Sequence, residues 1–135
     1  MGTQYLLDSN ICIHFMKGRA DVVDAIRKVG WSNCHIAEIS VAELLFGAEC
    51  SANRDKNTEL VEAFLQNVHI VPFSVGIREF CKQKAQLRAK GELIEDTDLF
   101  IGAAAIASGY TLVTENVKHL SRLKGIQLEN WIKRP

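Results

Sequence analysis

The residues best able to do chemistry are acidic, and each adjoins an apolar segment. Asp8 follows Gln4-Tyr5-Leu6-Leu7, and Glu43 lies within Ser40-Val41-Ala42-Glu43-Leu44-Leu45. Asp96 and Asp98 stand at the head of an uncharged stretch from Leu99 to Ser108, and Glu115-Asn116 follow Tyr110-Thr111-Leu112-Val113-Thr114. Each alone has an ordinary explanation. Asp8 or Ser9 can cap a helix, Ser40 and Glu43 have capping-box spacing, and Asp96 or Thr97 can cap the stretch behind them. Acids also suit the positive end of a helix dipole. Together they pose a problem, because carboxylates brought to one rim repel and raise one another's pKa values. A divalent cation removes the conflict. An oxygen set without His or Cys favours Mg2+, with Mn2+ also suited. The chemistry expected is that of an acidic metal pocket.

Whether these acids meet depends on the elements that carry them. Short apolar runs at residues 4–7, 34–39, 68–73, 110–114 and 126–128 read as strands. The segments between them read as helices, at residues 11–18, 21–29, 40–47, 53–67, 74–90 and 96–108, with a helical turn at 117–123. Their alternation predicts an α/β fold, a parallel sheet of four to five short strands with helices on both faces. Sites in such open sheets lie beyond the carboxyl ends of the strands. Asp8, Glu115 and Asn116 follow strands, while Glu43, Asp96 and Asp98 open helices that run antiparallel to them. All six positions therefore map to one edge. The stretch from Leu99 to Gly109 is apolar all round, as a buried helix is, and Gly109 suits its C-terminus.

Bulk properties set the limits. A chain of 135 residues is one domain, residues 1–135, and can bury a real core. Sixteen basic and sixteen acidic residues leave no net charge, so bulk charge neither indicates nor excludes a nucleic-acid partner. Cys12, Cys34, Cys50 and Cys81 are widely spaced, without a Cys-x-x-Cys pair, and read as buried free thiols. No signal peptide and no stretch long enough to span a membrane is present, so a cytoplasmic protein without membrane contact is expected. His14, His35, His69 and His119 share no metal-ligand spacing. Trp31 and Trp131 read by default as core residues.

Set in order, the acidic segments resemble a PIN-domain ribonuclease, most of all the VapC toxins of type II toxin–antitoxin pairs. The resemblance rests on Leu7-Asp8-Ser9-Asn10-Ile11-Cys12-Ile13, Ile39-Ser40-Val41-Ala42-Glu43-Leu44-Leu45-Phe46-Gly47, Asp98-Leu99-Phe100-Ile101-Gly102-Ala103-Ala104-Ala105, Thr111-Leu112-Val113-Thr114-Glu115-Asn116 and Leu128-Glu129-Asn130-Trp131. It implies that Asp8, Glu43 and Asp98 are the catalytic acids that hold the metal, with Asp96 an acid in only some members. Ser9 matches a hydroxyl that accompanies the first acid, and Asn116 falls where the family has Asp or Asn. Two departures stand out: His119 where an acid is frequent, and Glu95 where Gly is common. Glu115 is a candidate to make up the fourth corner.

The resemblance further implies a Mg2+-dependent endoribonuclease that cleaves tRNA or rRNA and so inhibits translation, acting as a homodimer with a cognate antitoxin. The products would carry 5′-phosphate and 3′-hydroxyl ends. An RNA substrate calls for cations around an acidic pocket. Lys84 and Arg88 are candidates for that rim, with Lys118, Arg122 and Lys124 as a second lip. The competing readings are a nuclease of this fold acting in RNA maturation or on DNA, and a catalytically silent PIN module that only binds. A phospho-accepting receiver-like domain fits poorly, because Asp8 stands alone after its strand and no Lys follows the last one.

Overall fold

The computed structural model describes residues 2–135. Five strands form one parallel sheet: β1 (Tyr5–Leu7), β2 (Cys34–Ala37), β3 (His69–Val71), β4 (Thr111–Val113) and β5 (Leu128–Glu129), in the order β3-β2-β1-β4-β5. Tyr5 pairs with Cys34 on one side and Thr111 on the other, so β1 is the central strand. Burial on both faces explains its unbroken apolar run. Among the described residues, seven α-helices accompany the sheet: α1 (Ser9–Met16), α2 (Ala20–Val29), α3 (Glu38–Glu49), α4 (Arg54–Leu65), α5 (Ile77–Lys90), α6 (Asp96–Ser108) and α7 (Val117–Leu120). None is long and apolar enough to cross a membrane among the described residues.

The sheet separates two cores. One joins α1 to α4 through Leu7, Ile11, Val22, Ile26, Ile36 and Phe64. The other joins α5 to α7 through Leu6, Leu87, Leu99, Ile101, Leu112 and Leu120. Trp31 packs edge-on to Phe15 with ring centroids 5.0 Å apart, and Trp131 lies 5.4 Å from Tyr5, so both serve packing. Cys12 and Cys34 are buried thiols, but Cys50 and Cys81 are exposed, contrary to expectation. Cys50 is the C-cap of α3 beside the exposed Glu49, and Cys81 lies on the solvent side of α5 beside the exposed Lys82.

α6 is the helix read from the sequence at residues 96–108. Its small residues let other backbone approach. A Cβ on Gly76 would lie 3.0 Å from the Ala104 backbone nitrogen, and one on Gly102 would meet the Leu123 side chain. Gly109 closes the helix at φ 73°, and Tyr110 N–H returns to the Ala105 carbonyl at 2.9 Å.

Several bounds differ from expectation. β3 is confined to His69–Val71 before Pro72, β5 falls at Leu128–Glu129, and residues 73–76 form a 3-10 turn ahead of α5. The difference that matters is in α3, which begins at Glu38 and not at Ser40. Ser40 caps nothing: its Oγ is buried and has no hydrogen-bond partner among the described residues. Glu43 therefore lies in the second turn, not in a capping box. Glu38 takes the first helical position, where its carboxylate suits the dipole and accepts the Phe73 backbone N–H at 2.9 Å.

Candidate active site

The carboxyl edge of β1 and β4 is where the chemistry collects. Asp8 leaves β1 in extended conformation and is the N-cap of α1. It is 8% exposed and both of its oxygens are engaged. Oδ1 accepts the Ser9 backbone N–H at 2.8 Å, and Oδ2 accepts the Thr114 hydroxyl at 2.7 Å. Ser9 Oγ in turn donates to Glu43 Oε1 at 2.6 Å. On the other side, Thr114 Oγ accepts the Asn116 backbone N–H at 3.0 Å, and Asn116 Nδ2 donates to Asp98 Oδ2 at 3.1 Å. One unbroken hydrogen-bonded chain thus runs Glu43–Ser9–Asp8–Thr114–Asn116–Asp98. It ties α1, α3, α6 and the turn after β4 to a single rim.

Like charge gathers at this rim. Burial pushes the Asp8 carboxyl above its usual pKa, the Thr114 and Ser9 hydrogen bonds oppose that, and the Glu43 charge adds to it. Asp98 is also raised, first by burial, then by the charges of Asp8 and Glu95, against the Asn116 hydrogen bond and His119. Carboxyls raised by burial and like charge beside a cleft make this rim a candidate functional site.

The other candidate residues fall in different places. Asp96 is exposed and lies 3.0 Å from Lys84 Nζ, which also sits 5.5 Å from the Phe80 ring centre. This exposed ion pair lies outside the hydrogen-bonded chain that joins Glu43, Asp8 and Asp98. Asp96 also caps nothing, because the N-cap of α6 is Glu95, without a side-chain bond. Arg88 is exposed on α5 and does not line the cavity beside Asp98. Glu115 turns outward, gripped by Arg134 at 2.7 and 3.0 Å with His14 3.2 Å away. It makes no hydrogen bond to Asp8, Glu43 or Asp98 among the described residues.

Asn116 bonds to Asp98 on one side, with His119 behind it on the other. His119 Nδ1 lies 2.8 Å from Asn116 Oδ1. Both line a cavity of about 670 Å³ with Leu93, Asp98 and Arg122. Arg122 reaches the Glu92 and Leu93 carbonyls at 3.2 and 3.4 Å, so its guanidinium is fixed at the cavity wall. Of the lip suggested by Lys118, Arg122 and Lys124, only Arg122 is there. Thr114 carries little signal in the sequence, since a Thr at a strand end looks like any other. Its signal is the polar residue closing an apolar strand immediately before Glu115-Asn116.

The donor set fits a hard divalent cation in chemistry, being all carboxylate and amide oxygen. Glu43 Oε2 and Asp98 Oδ1 accept no hydrogen bond among the described residues, so each has an oxygen to offer. No group of three His, Cys, Asp or Glu side chains among the described residues stands close enough to hold one ion. Closure of Glu43 and Asp98 on Asp8 therefore requires side-chain rotation, which the exposed Glu43 and half-buried Asp98 permit.

The PIN-domain family profile matches residues 5–126. Ribonuclease VapC2 of Rickettsia felis is 33% identical over 132 residues, covering 96% of this chain and 98% of that one. The tRNA(fMet)-specific endonuclease VapC of Salmonella typhimurium is 28% identical, covering 95% and 98%. The crystal structure of VapBC2 from Rickettsia felis bound to a promoter DNA fragment superimposes with a TM-score of 0.90 at 30% identity, covering 96% of this chain and 100% of that one.

Proposed function

The chain belongs to the PIN-domain family, among its VapC ribonucleases, and from that premise we propose a Mg2+-dependent endoribonuclease toxin that cleaves structured RNA. Its targets are tRNA or rRNA, tRNA being favoured by the tRNA(fMet) endonuclease among its relatives. Cleavage of either arrests translation. The observation that carries this reading is the single hydrogen-bonded chain joining Glu43, Asp8 and Asp98 at the sheet's carboxyl edge.

Asp8, Glu43 and Asp98 are the residues to hold the cation, Mn2+ being an acceptable substitute. Bound there, a divalent cation would supply an activated water for attack on phosphorus and charge stabilisation for the leaving oxygen. The protein's own part is positioning. Ser9 and Thr114 hold Asp8 from opposite sides, so the central carboxylate is fixed before substrate arrives. Ser9 also tethers Glu43, and Asn116 orients Asp98. Arg122 and His119 give the cavity wall groups that can meet RNA phosphates, which an acidic pocket alone would repel.

Thr114→Val tests the positioning role. It removes the hydroxyl from Asp8 Oδ2 at a fully buried position. Cleavage is expected to fall about 10- to 100-fold, the usual cost of losing a partner that orients a ligand. Steady-state cleavage of a tRNA substrate measures it, and full activity in the variant would remove Thr114 from the site.

A cognate antitoxin is the expected protein partner. A groove of about 430 Å³ runs beside Glu43, lined by Ile13, Met16, Leu44, Leu60 and Val61. Phe46, 69% exposed, stands on α3 nearby. A partner segment laid there would cover apolar surface and reach the acidic rim together. A homodimer is supported by a second apolar face, with Ile70, Phe73, Val75 and Ile77 exposed.

The test of function is end mapping after incubation of total RNA with the protein and Mg2+. Cuts in tRNA or rRNA loops with 5′-phosphate and 3′-hydroxyl ends are expected. Ends bearing 2′,3′-cyclic phosphate would overturn the mechanism, and cleavage of DNA in place of RNA would overturn the substrate.

A further inference from the structure

We propose that Arg134 is a positioning residue for the active site, acting through Glu115 on the turn that carries Thr114 and Asn116. Arg134 Nε and Nη2 donate to the two oxygens of Glu115 at 2.7 and 3.0 Å, a bidentate pair. His14 Nε2, from the last turn of α1, lies 3.2 Å from Glu115 Oε1. Glu115 is therefore held by two elements that flank the site. Its chain neighbours are the two residues that orient the acids, Thr114 on Asp8 and Asn116 on Asp98. A free turn here would let Asn116 swing from Asp98. The clamp fixes the backbone between them. It also pairs the Glu115 charge, Arg134 holding that carboxyl below its usual pKa.

The C-terminal segment after β5, which delivers Arg134, has anchors of its own. Trp131 packs on Tyr5, Ile132 is buried, and Lys133 N–H donates to Asp21 Oδ2 at 2.8 Å. Arg19 also donates to the Lys133 carbonyl at 3.1 Å. Loss of the Arg134 side chain alone thus leaves the segment docked and removes only the clamp.

The inference rests on the reading of Asp8 and Asp98 as the working acids, and its test has one readout independent of activity. The variants are Arg134→Ala, Arg134→Lys and, from the other side of the pair, Glu115→Gln. Hydrogen exchange of the Asn116 backbone amide, which donates to Thr114 Oγ at 3.0 Å, reports the turn directly. Exchange at Asn116 is expected to quicken in Arg134→Ala and Glu115→Gln, and less in Arg134→Lys, which keeps the charge but not the fork. Core amides on α6 should keep the wild-type rate, which a merely structural role would not. RNA cleavage should lose about tenfold in kcat with KM unchanged, as for other supporting contacts. The Arg134→Ala and Glu115→Gln effects should not add when combined. Wild-type exchange at Asn116 in Arg134→Ala would overturn the clamp, whether or not the protein cleaves RNA. Absence of RNA cleavage by the wild type, with the exchange effect intact, would instead overturn the assigned function.

Discussion

Asp98→Asn is expected to lower RNA cleavage by about a thousandfold, because Lewis-acid stabilisation is worth several kcal/mol and each ~1.4 kcal/mol is tenfold in rate. The same variant should be no less stable than the wild type when metal-free. Asp98 is held above its ordinary pKa of 3.8 by burial and by Asp8 and Glu95. A carboxyl raised in the folded state stabilises fully below its unfolded pKa, and that contribution is lost as pH rises through the raised value. Asp8 acts in the same sense. At neutral pH both ionised groups therefore cost stability, and an amide at position 98 removes one of them. Asp21 opposes this trend at the acid end. Its pKa is lowered to about 2, first by the Arg19 hydrogen bond, so its stabilisation is present above 3.8 and lost as pH falls toward 2.

The melting temperature of the metal-free wild type, taken relative to metal-free Asp98→Asn, should thus fall as pH rises above 3.8 through the raised Asp98 value, a difference in which groups common to both proteins, such as His35 with its lowered pKa, cancel. Mg2+ should raise the wild-type value, since a ligand bound only by the folded state stabilises it. It should do so little in the variant. Equal Mg2+ stabilisation of both proteins would remove Asp98 from the metal site.

Leu99→Ala carries the largest expected cost in stability, about 2–5 kcal/mol for a buried Leu truncated to Ala. Leu99 is fully buried in the core with Leu6, Leu87, Leu112 and Leu120. It lies directly after Asp98, so a cavity there undercuts the residue that the helix presents to the site. Against a total of roughly 5–15 kcal/mol for a domain of this kind, the loss approaches unfolding. Urea denaturation measures it. Leu99→Met keeps the volume and should cost less than about 1.5 kcal/mol. A Leu99→Ala loss no greater than that of Leu99→Met would mean the second core does not seat α6.

The comparison of α6 with α3 shows what the sequence can carry. At α6 three signals coincide: acids at the head, a charge-free run behind, and glycine at the end. All are local, so its bounds at Asp96 and Ser108 were readable. At α3 the local signal misled. Ser40-x-x-Glu43 has the form of a capping box, yet Ser40 points into the core and the helix starts at Glu38. A four-residue pattern cannot report which way a hydroxyl faces when tertiary packing decides it. Glu43 still reaches the rim, through Ser9, because one extra half-turn leaves it on the edge side of the helix.

The long-range pairs were not readable at all. Glu115 looked like a fourth acid because Asn116 beside it was one corner of the site. Its partner, Arg134, is nineteen residues away, and nothing in the spacing links them. Asp96 and Lys84 are likewise joined only by the packing of α5 on α6. The parallel sheet followed from alternation of strands and helices. Its order, with β1 between β2 and β4, is set by crossovers that single-chain patterns do not distinguish.

The most direct test of the central claim is RNA cleavage by wild type and Asp98→Asn, side by side, across a Mg2+ titration that ends in EDTA. Cleavage by the wild type should rise with Mg2+ and vanish in EDTA, while Asp98→Asn stays near background at every concentration. Full wild-type activity in EDTA, or an Asp98→Asn curve that overlays the wild type, would contradict an acidic metal site built on Asp8, Glu43 and Asp98.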